Sequence, residues 1–330
     1  MFKTGVVIGK FYPPHRGHKY LIDTATRQCE KVMVFVCGKP EQTIPGELRA
    51  KWLQEIHPTV EVRLIDDIYP DDDSELWAKN TINWLGYVPD AAFTSEDYGG
   101  PWSYFMGCQH VQVDKPRLTV PISGTAVRND PFGNWEFLEP PVRAYFAKRI
   151  CVVGAESTGT TTISQALADH YQTVWVPEYG REYAEHKMSQ PDPGEWITEE
   201  FVHIATRQNE LEDTALREAN RLLICDTNAF ATCLWHYRYL GFRAPEVEAV
   251  AAPRPYDLYL LTNADIPFVQ DGTRDGEHIR HDMHRWFVDA LETQTVPWIL
   301  LSGTHEERLA TATSVIDRMF FKKLSVISSH

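Results

Sequence analysis

Two histidines three positions apart, His15 and His18, sit in the string GKFYPPHRGH at residues 9–18, directly after the apolar run TGVVIG. A strand that ends on glycine and turns into a helix lets the backbone approach a phosphate, and the helix-start N–H groups and dipole favour an anion. The spacing lets His15 and His18 face one side of that helix start, beside the charge of Lys10. With Gly9 and Phe11 forming the turn, the cluster suits a triphosphate. A proline-stiffened loop whose histidines cap a helix is the alternative.

A second string, ISGTAVR at residues 122–128, offers Ser123, Gly124 and Thr125 for capping a helix and holding phosphate oxygens, with Arg128 to neutralise a leaving pyrophosphate. A third, GAESTGTTT at residues 154–162, follows an apolar run and precedes a helical pattern. Its spacing fits G-x-x-x-x-G-K-[ST], the phosphate-cradling loop. Gly154, Glu156, Ser157, Thr158, Gly159, Thr160, Thr161 and Thr162 are the expected ATP-binding residues, with Thr161 offering its hydroxyl to Mg²⁺. Thr160 stands where the pattern has lysine, so the charge that reaches the β- and γ-phosphates is missing.

Asp226, at the end of LLICD, is the expected second holder of Mg²⁺. The polar stretch at residues 271–285 reads as a lid loop whose Arg274 or Arg280 replaces the lost lysine charge. In VPEYGREY, residues 176–183, Glu178 is placed to hold ribose hydroxyls or act as base, Tyr179 to stack on an acceptor and Arg181 to contact phosphate. A surface Glu–Arg pair at a helix start is the plainer reading. Arg49, on the second helical stretch, is either a phosphate contact or a solvated helical arginine.

Alternating short apolar runs and helical patterns must position these residues. TGVVIG, a helix near residues 20–29, KVMVFVC, a helix at 46–56 and VEVRLI predict one parallel, doubly wound α/β sheet. From KRICVVG the pattern restarts: helix 162–170, TVWVP, helix 199–219, LLICD and LYLLT predict a second, in a P-loop kinase domain. The joint lies within residues 140–148, where Pro140 and Pro141 interrupt any helix, giving domains 1–145 and 146–330.

With 46 acidic against 32 basic residues and a net charge of −14, the chain lacks the basic stripe of a nucleic-acid binder. No signal peptide or membrane-length apolar run is present, and six cysteines without close pairing read as reduced thiols, so a cytoplasmic protein is expected. Whether copies of the chain form a homo-oligomer is left open.

GxFxPxHxGH with ISGTxxR resembles the HxGH nucleotidyltransferase superfamily, Rossmann-like enzymes that move an adenylyl or cytidylyl group from a nucleoside triphosphate. Followed by a P-loop opening GAES, and with TSEDYGG at 94–100 and EYGREY at 178–183, the chain resembles the NadR family over nearly its whole length. That resemblance implies two activities: adenylylation of nicotinamide mononucleotide by ATP to give NAD, and phosphorylation of nicotinamide riboside. It implies an aromatic ring against the nicotinamide, for which Trp77 and Trp84 are candidates beside the core role usual for indoles. Some members carry a DNA-binding module ahead of the first strand; with the first strand at the start of this sequence, neither that module nor DNA binding is expected. Two rival readings remain at this point: a pantetheine-phosphate or flavin-mononucleotide acceptor, and a P-loop domain that senses nucleotide without catalysis.

Overall fold

The computed structural model describes residues 1–252, 254–270 and 276–321. It divides into two units, Met1–Phe146 and Ala147–His330. In the first, β1 (Phe2–Gly9), α1 (Arg16–Gln28), β2 (Cys29–Gly38), α2 (Gly46–Ile56), β3 (Glu61–Asp66), α3 (Ser74–Leu85), β4 (Ala91–Thr94), α4 (Gly99–Met106) and β5 (Gln109–Gln112) alternate along the chain. Helices α5 (Gly124–Asn129) and α6 (Pro140–Phe146) complete the unit. All five strands are parallel, in the order β3-β2-β1-β4-β5.

Both faces of that sheet are covered, which is why its strands read as continuous apolar runs. Val7 and Val34 pack with Leu21, Ile22 and Leu53 on one face, while Val6, Ile8, Met33 and Phe35 meet Trp102 and Met106 on the other. Each such fully buried side chain contributes about 2 kcal/mol. The chain winds outward from β1 through β2 to β3 and then crosses to β4, so a crevice opens where the carboxyl ends of β1 and β4 diverge.

The second unit contains β6 (Lys148–Val153), α7 (Thr160–Tyr171), β7 (Trp175–Val176), α8 (Tyr179–Met188), α9 (Thr198–Ala215), β8 (Leu222–Asp226), α10 (Ala229–Leu240), α11 (Pro245–Ala251), β9 (Leu258–Thr262), α12 (Arg280–Glu292), β10 (Trp298–Leu301) and α13 (His305–Ile316). Its parallel sheet has the order β10-β9-β6-β8-β7, with β6 central and its loop facing the ends of β8 and β9. Two expectations are corrected. Pro140 and Pro141 open α6 rather than interrupting a helix, because the first helical turn has no use for their missing N–H groups. The stretch read as a polar lid is helical from Arg280 onward, held by Met283, Phe287 and Leu291, buried four residues apart. Among the described residues no helix is long and apolar enough to cross a membrane, and all six cysteines are free thiols.

Candidate functional site

In the first unit the crevice is a cavity of about 610 Å³ lined by both signature strings. His15 is the N-cap of α1: its Nδ1 accepts from the N–H groups of Gly17 (3.1 Å) and His18 (3.4 Å). Burial lowers its pKa to about 4, with the Arg117 guanidinium adding to the shift, so the ring is neutral and Nε2 carries its proton. His18 stacks on His15 with ring centroids 3.7 Å apart, and Phe11 closes the stack edge-on at 5.0 Å. Desolvation, with His15 and Arg117 nearby, holds His18 well below the ordinary histidine value.

Because the folded pKa of His15 is depressed, the unfolded chain takes up the proton first as pH falls. The neutral ring's contribution is intact above about pH 6.5 and is lost down to about pH 4, a total of about 3 kcal/mol. Asparagine at this position keeps the cap acceptor but does not titrate. Calorimetry should therefore show His15→Asn losing less stability than wild type between about pH 7.5 and 4.5.

The second string folds onto the first. Ser123 caps α5, its Oγ accepting from Ala126 N at 3.1 Å. A Cβ on Gly124 would sit 2.5 Å from the carbonyl oxygen of Tyr12, so only glycine permits this approach. Arg128 donates to that same carbonyl and to Thr125 Oγ1 (3.1 Å), and its guanidinium lies 4.5 Å from the Tyr12 ring. Tyr12, which carries no place in either motif, joins them; its hydroxyl also meets Thr43 Oγ1 at 2.6 Å.

Lys10 lines the cavity with its ammonium 3.1 Å from Asp71 and 3.7 Å from the buried Asp67. Burial works against its charge, but the two carboxylates outweigh that and raise its pKa. Trp77 lines the cavity; Trp84 does not, packing instead against Phe35 and Tyr69. Trp102, Asp114 and Arg117 also line it and were invisible to motif reading, since they come from α4 and the loop after β5.

Arg49 is neither a phosphate contact nor a solvated arginine. It is fully buried and donates to the carbonyls of Lys10, Cys37, Ile44 and Pro45 and to Gln42. The chain curls over α2 and presents carbonyls that only a guanidinium fork can satisfy together. Arg49→Met should lower stability by about 3 kcal/mol, read by thermal unfolding, through the acceptors it leaves unpaired.

In the second unit a cavity of about 370 Å³ is lined by the loop at 154–162, by α8, and by residues from α9 and α10. Gly159 caps α7 at φ +87, a conformation that favours glycine. Thr161 donates its hydroxyl to Asp226 Oδ2 at 2.5 Å. Asp226 is buried, its Oδ1 has no hydrogen-bond partner among the described residues, and burial raises its pKa against the help of Thr161, Thr160 and Arg181. Ser157 Oγ accepts from Val269 N, and Glu156 accepts from Arg238 Nη1 (3.0 Å) and Gly276 N (2.7 Å). Thr158 turns its hydroxyl away from the cavity, onto Ala155 O and Thr262.

Glu178 and Arg181 line this cavity, three positions apart on α8. Tyr179 does not: one residue round the helix, it faces His203, whose Nε2 lies 3.1 Å from its hydroxyl. The cavity's aromatic wall is Trp196, Phe201, Trp235 and Tyr239, from segments without a motif. Arg280 is likewise no phosphate ligand; it is buried and donates to Ser157 O and Ile266 O, both at 2.8 Å. Arg274 lies outside the described residues.

The family model described as "AAA domain" matches residues 149–308, and that described as "Citrate lyase ligase C-terminal domain" matches residues 4–63. The chain is 28% identical over 327 residues to the trifunctional NAD biosynthesis/regulator protein NadR of Escherichia coli K12, covering 89% of this chain and 78% of that protein. The protein of the same name from Salmonella typhimurium is 28% identical over 297 residues, covering 82% and 71%. The chain is thus similar to the NadR proteins along most of its length. A solved NadR structure in complex with NR has a TM-score of 0.80 at 21% identity, covering 100% of this chain and 99% of that one. Another, with NAD and AMP-PNP, has a TM-score of 0.75 at 20% identity, covering 98% of each chain. The NadR fold is thus shared along both units, and in the second Thr160 departs from the P-loop sequence pattern.

Proposed function

We propose that this chain makes NAD in two steps: residues 147–330 phosphorylate nicotinamide riboside with ATP, and residues 1–146 adenylylate the resulting mononucleotide. The observation that carries the reading is the seating of Gly124 and Arg128 on Tyr12, which brings both nucleotidyltransferase strings to one cavity. In the adenylyl step a phosphate oxygen of nicotinamide mononucleotide bonds to the α-phosphorus of ATP, the bond from that phosphorus to the bridging oxygen breaks, and pyrophosphate leaves. Neutral His15 and His18 donate to phosphate oxygens, and Arg128 and Lys10 offset the charge gathering on pyrophosphate. No proton need be removed from the attacking phosphate.

In the kinase step the riboside 5′-hydroxyl oxygen bonds to the γ-phosphorus, the bond to the β–γ bridging oxygen breaks, ADP leaves, and Glu178 takes the hydroxyl proton. The aromatic wall of Trp196, Trp235 and Tyr239 suits a flat cationic pyridinium ring. Thr161 and Asp226 fit Mg²⁺: a buried carboxylate oxygen without a partner beside a hydroxyl is an oxygen-ligand pair for a hard cation. Bound there, the ion would neutralise phosphate charge. The six cysteines, all free thiols, support a cytoplasmic setting.

Incubation of the full chain with ATP, Mg²⁺ and either nicotinamide mononucleotide or nicotinamide riboside tests both halves. Pyrophosphate and NAD are expected from the first, ADP and the mononucleotide from the second. No pyrophosphate release with the mononucleotide overturns the adenylyl reading. No phosphorylation of the riboside favours the second reading, prompted by Thr160, in which the loop binds nucleotide without turnover.

A further inference from the structure

Phosphoryl transfer spreads negative charge over the γ-oxygens and the β–γ bridge, and a P-loop lysine ordinarily answers it. Threonine at 160 brings no charge, so if the site turns over, the cation comes from elsewhere. Among the described residues four arginines surround the loop, and three of them lie outside the cavity. Arg280 holds Ser157 O and Ile266 O, and Arg308 holds Thr158 O, Asn263 O, Gly303 O and Asp265. Both are buried and neither lines the cavity; they grip the loop's carbonyls from behind. Arg238 pairs with Glu156 and lies over the rings of Trp235 and Tyr239 at 5.0 and 4.9 Å, also outside the lining.

Arg181 differs in its place. It is the one lysine or arginine among the described residues that lines the cavity, where it shares the lining with Gly159, Thr160 and Thr161 from the loop and with Glu178. Its side chain is 44% exposed, and its Nε bonds Glu185 Oε1 one turn along α8 at 2.9 Å. Its field reaches Asp226, where it favours the charged carboxylate.

We propose that Arg181 supplies, from the acceptor side of the cavity, the charge that a lysine at position 160 would supply from the loop. The inference rests on the kinase reading above. Arg181 makes and breaks no bond and keeps its protons: while the riboside oxygen bonds to the γ-phosphorus, ADP departs and Glu178 takes the proton, the guanidinium pairs with the γ-oxygens and the bridging oxygen. The charge can be moved back to the loop by mutation, which makes the idea testable.

Arg181→Gln, Thr160→Lys and the double variant of the full chain are compared with wild type for riboside-dependent ADP formation from nicotinamide riboside and ATP. Arg181→Gln should lower kcat about 10²- to 10³-fold with the riboside KM within a few-fold of wild type, which also shows the acceptor site intact. Adding Thr160→Lys to Arg181→Gln should restore kcat at least about tenfold, whereas Thr160→Lys alone should change wild-type kcat only a few-fold. An Arg181→Gln variant with kcat within about threefold of wild type overturns the inference. So does equal benefit from Thr160→Lys in both backgrounds, or no benefit in either. Wild-type protein that forms no ADP from the riboside and ATP overturns the kinase reading and this inference with it.

Discussion

Replacing His18 with alanine should lower kcat for NAD formation about 10³-fold while leaving phosphorylation of nicotinamide riboside unchanged. His18 is stacked between His15 and the edge of Phe11 in the lining of the crevice, and its Nδ1 meets no hydrogen-bond partner among the described residues. A ring held neutral and desolvated costs little to reorganise when charge develops beside it, and removing one such donor typically costs 10²- to 10³-fold in kcat. Loss of its stacking partner also frees His15, which places the expectation at the upper end. Steady-state kcat and KM with the mononucleotide check it, with His18→Asn as a polar control; a kcat within tenfold of wild type would remove His18 from the proposed chemistry.

Asp226→Asn should cut riboside phosphorylation at least 10³-fold and leave the protein as stable as wild type, or more so. The carboxylate is 1% exposed, and burial raises its pKa. A group whose folded pKa lies above its unfolded value contributes stability at low pH that is lost as pH rises through the folded pKa. The neutral amide of the same shape escapes that loss, keeps the approach to Thr161 and forfeits only the charge. Coupled kinase assays beside thermal unfolding at about pH 7.5 separate the two effects. Retained activity, or a lost fold, would show that Asp226 serves the core instead.

The fold was legible because parallel strands buried on both faces leave unbroken apolar strings, as TGVVIG, KVMVFVC and LLICD do. The turns proposed to bind phosphate were legible for a related reason: Gly9, His15, Gly124 and Gly159 answer local backbone demands that their immediate neighbours reveal. What motif reading missed came from residues distant in sequence. Tyr12 matters because of Gly124, Arg117 because a loop after β5 returns to α1, and Trp196, Trp235 and Tyr239 because the segment leading into α9 meets α10. Arginines misled most often, since their type signals phosphate whatever surrounds them. Arg49 and Arg280 spend their donors on backbone carbonyls, and Tyr179 points off the face that Glu178 and Arg181 share, none of which spacing alone discloses.

Arg280 and Arg308 grip the carbonyls of Ser157 and Thr158 from outside the cavity. The shape of the loop is in that sense cast from behind, and the residue at 160 is not part of the mould. Substitution there is then a change of chemistry without a change of architecture. That makes the position a place where a lineage can exchange one charge donor for another by single steps, and where an engineer can write a new side chain without refolding the loop around it.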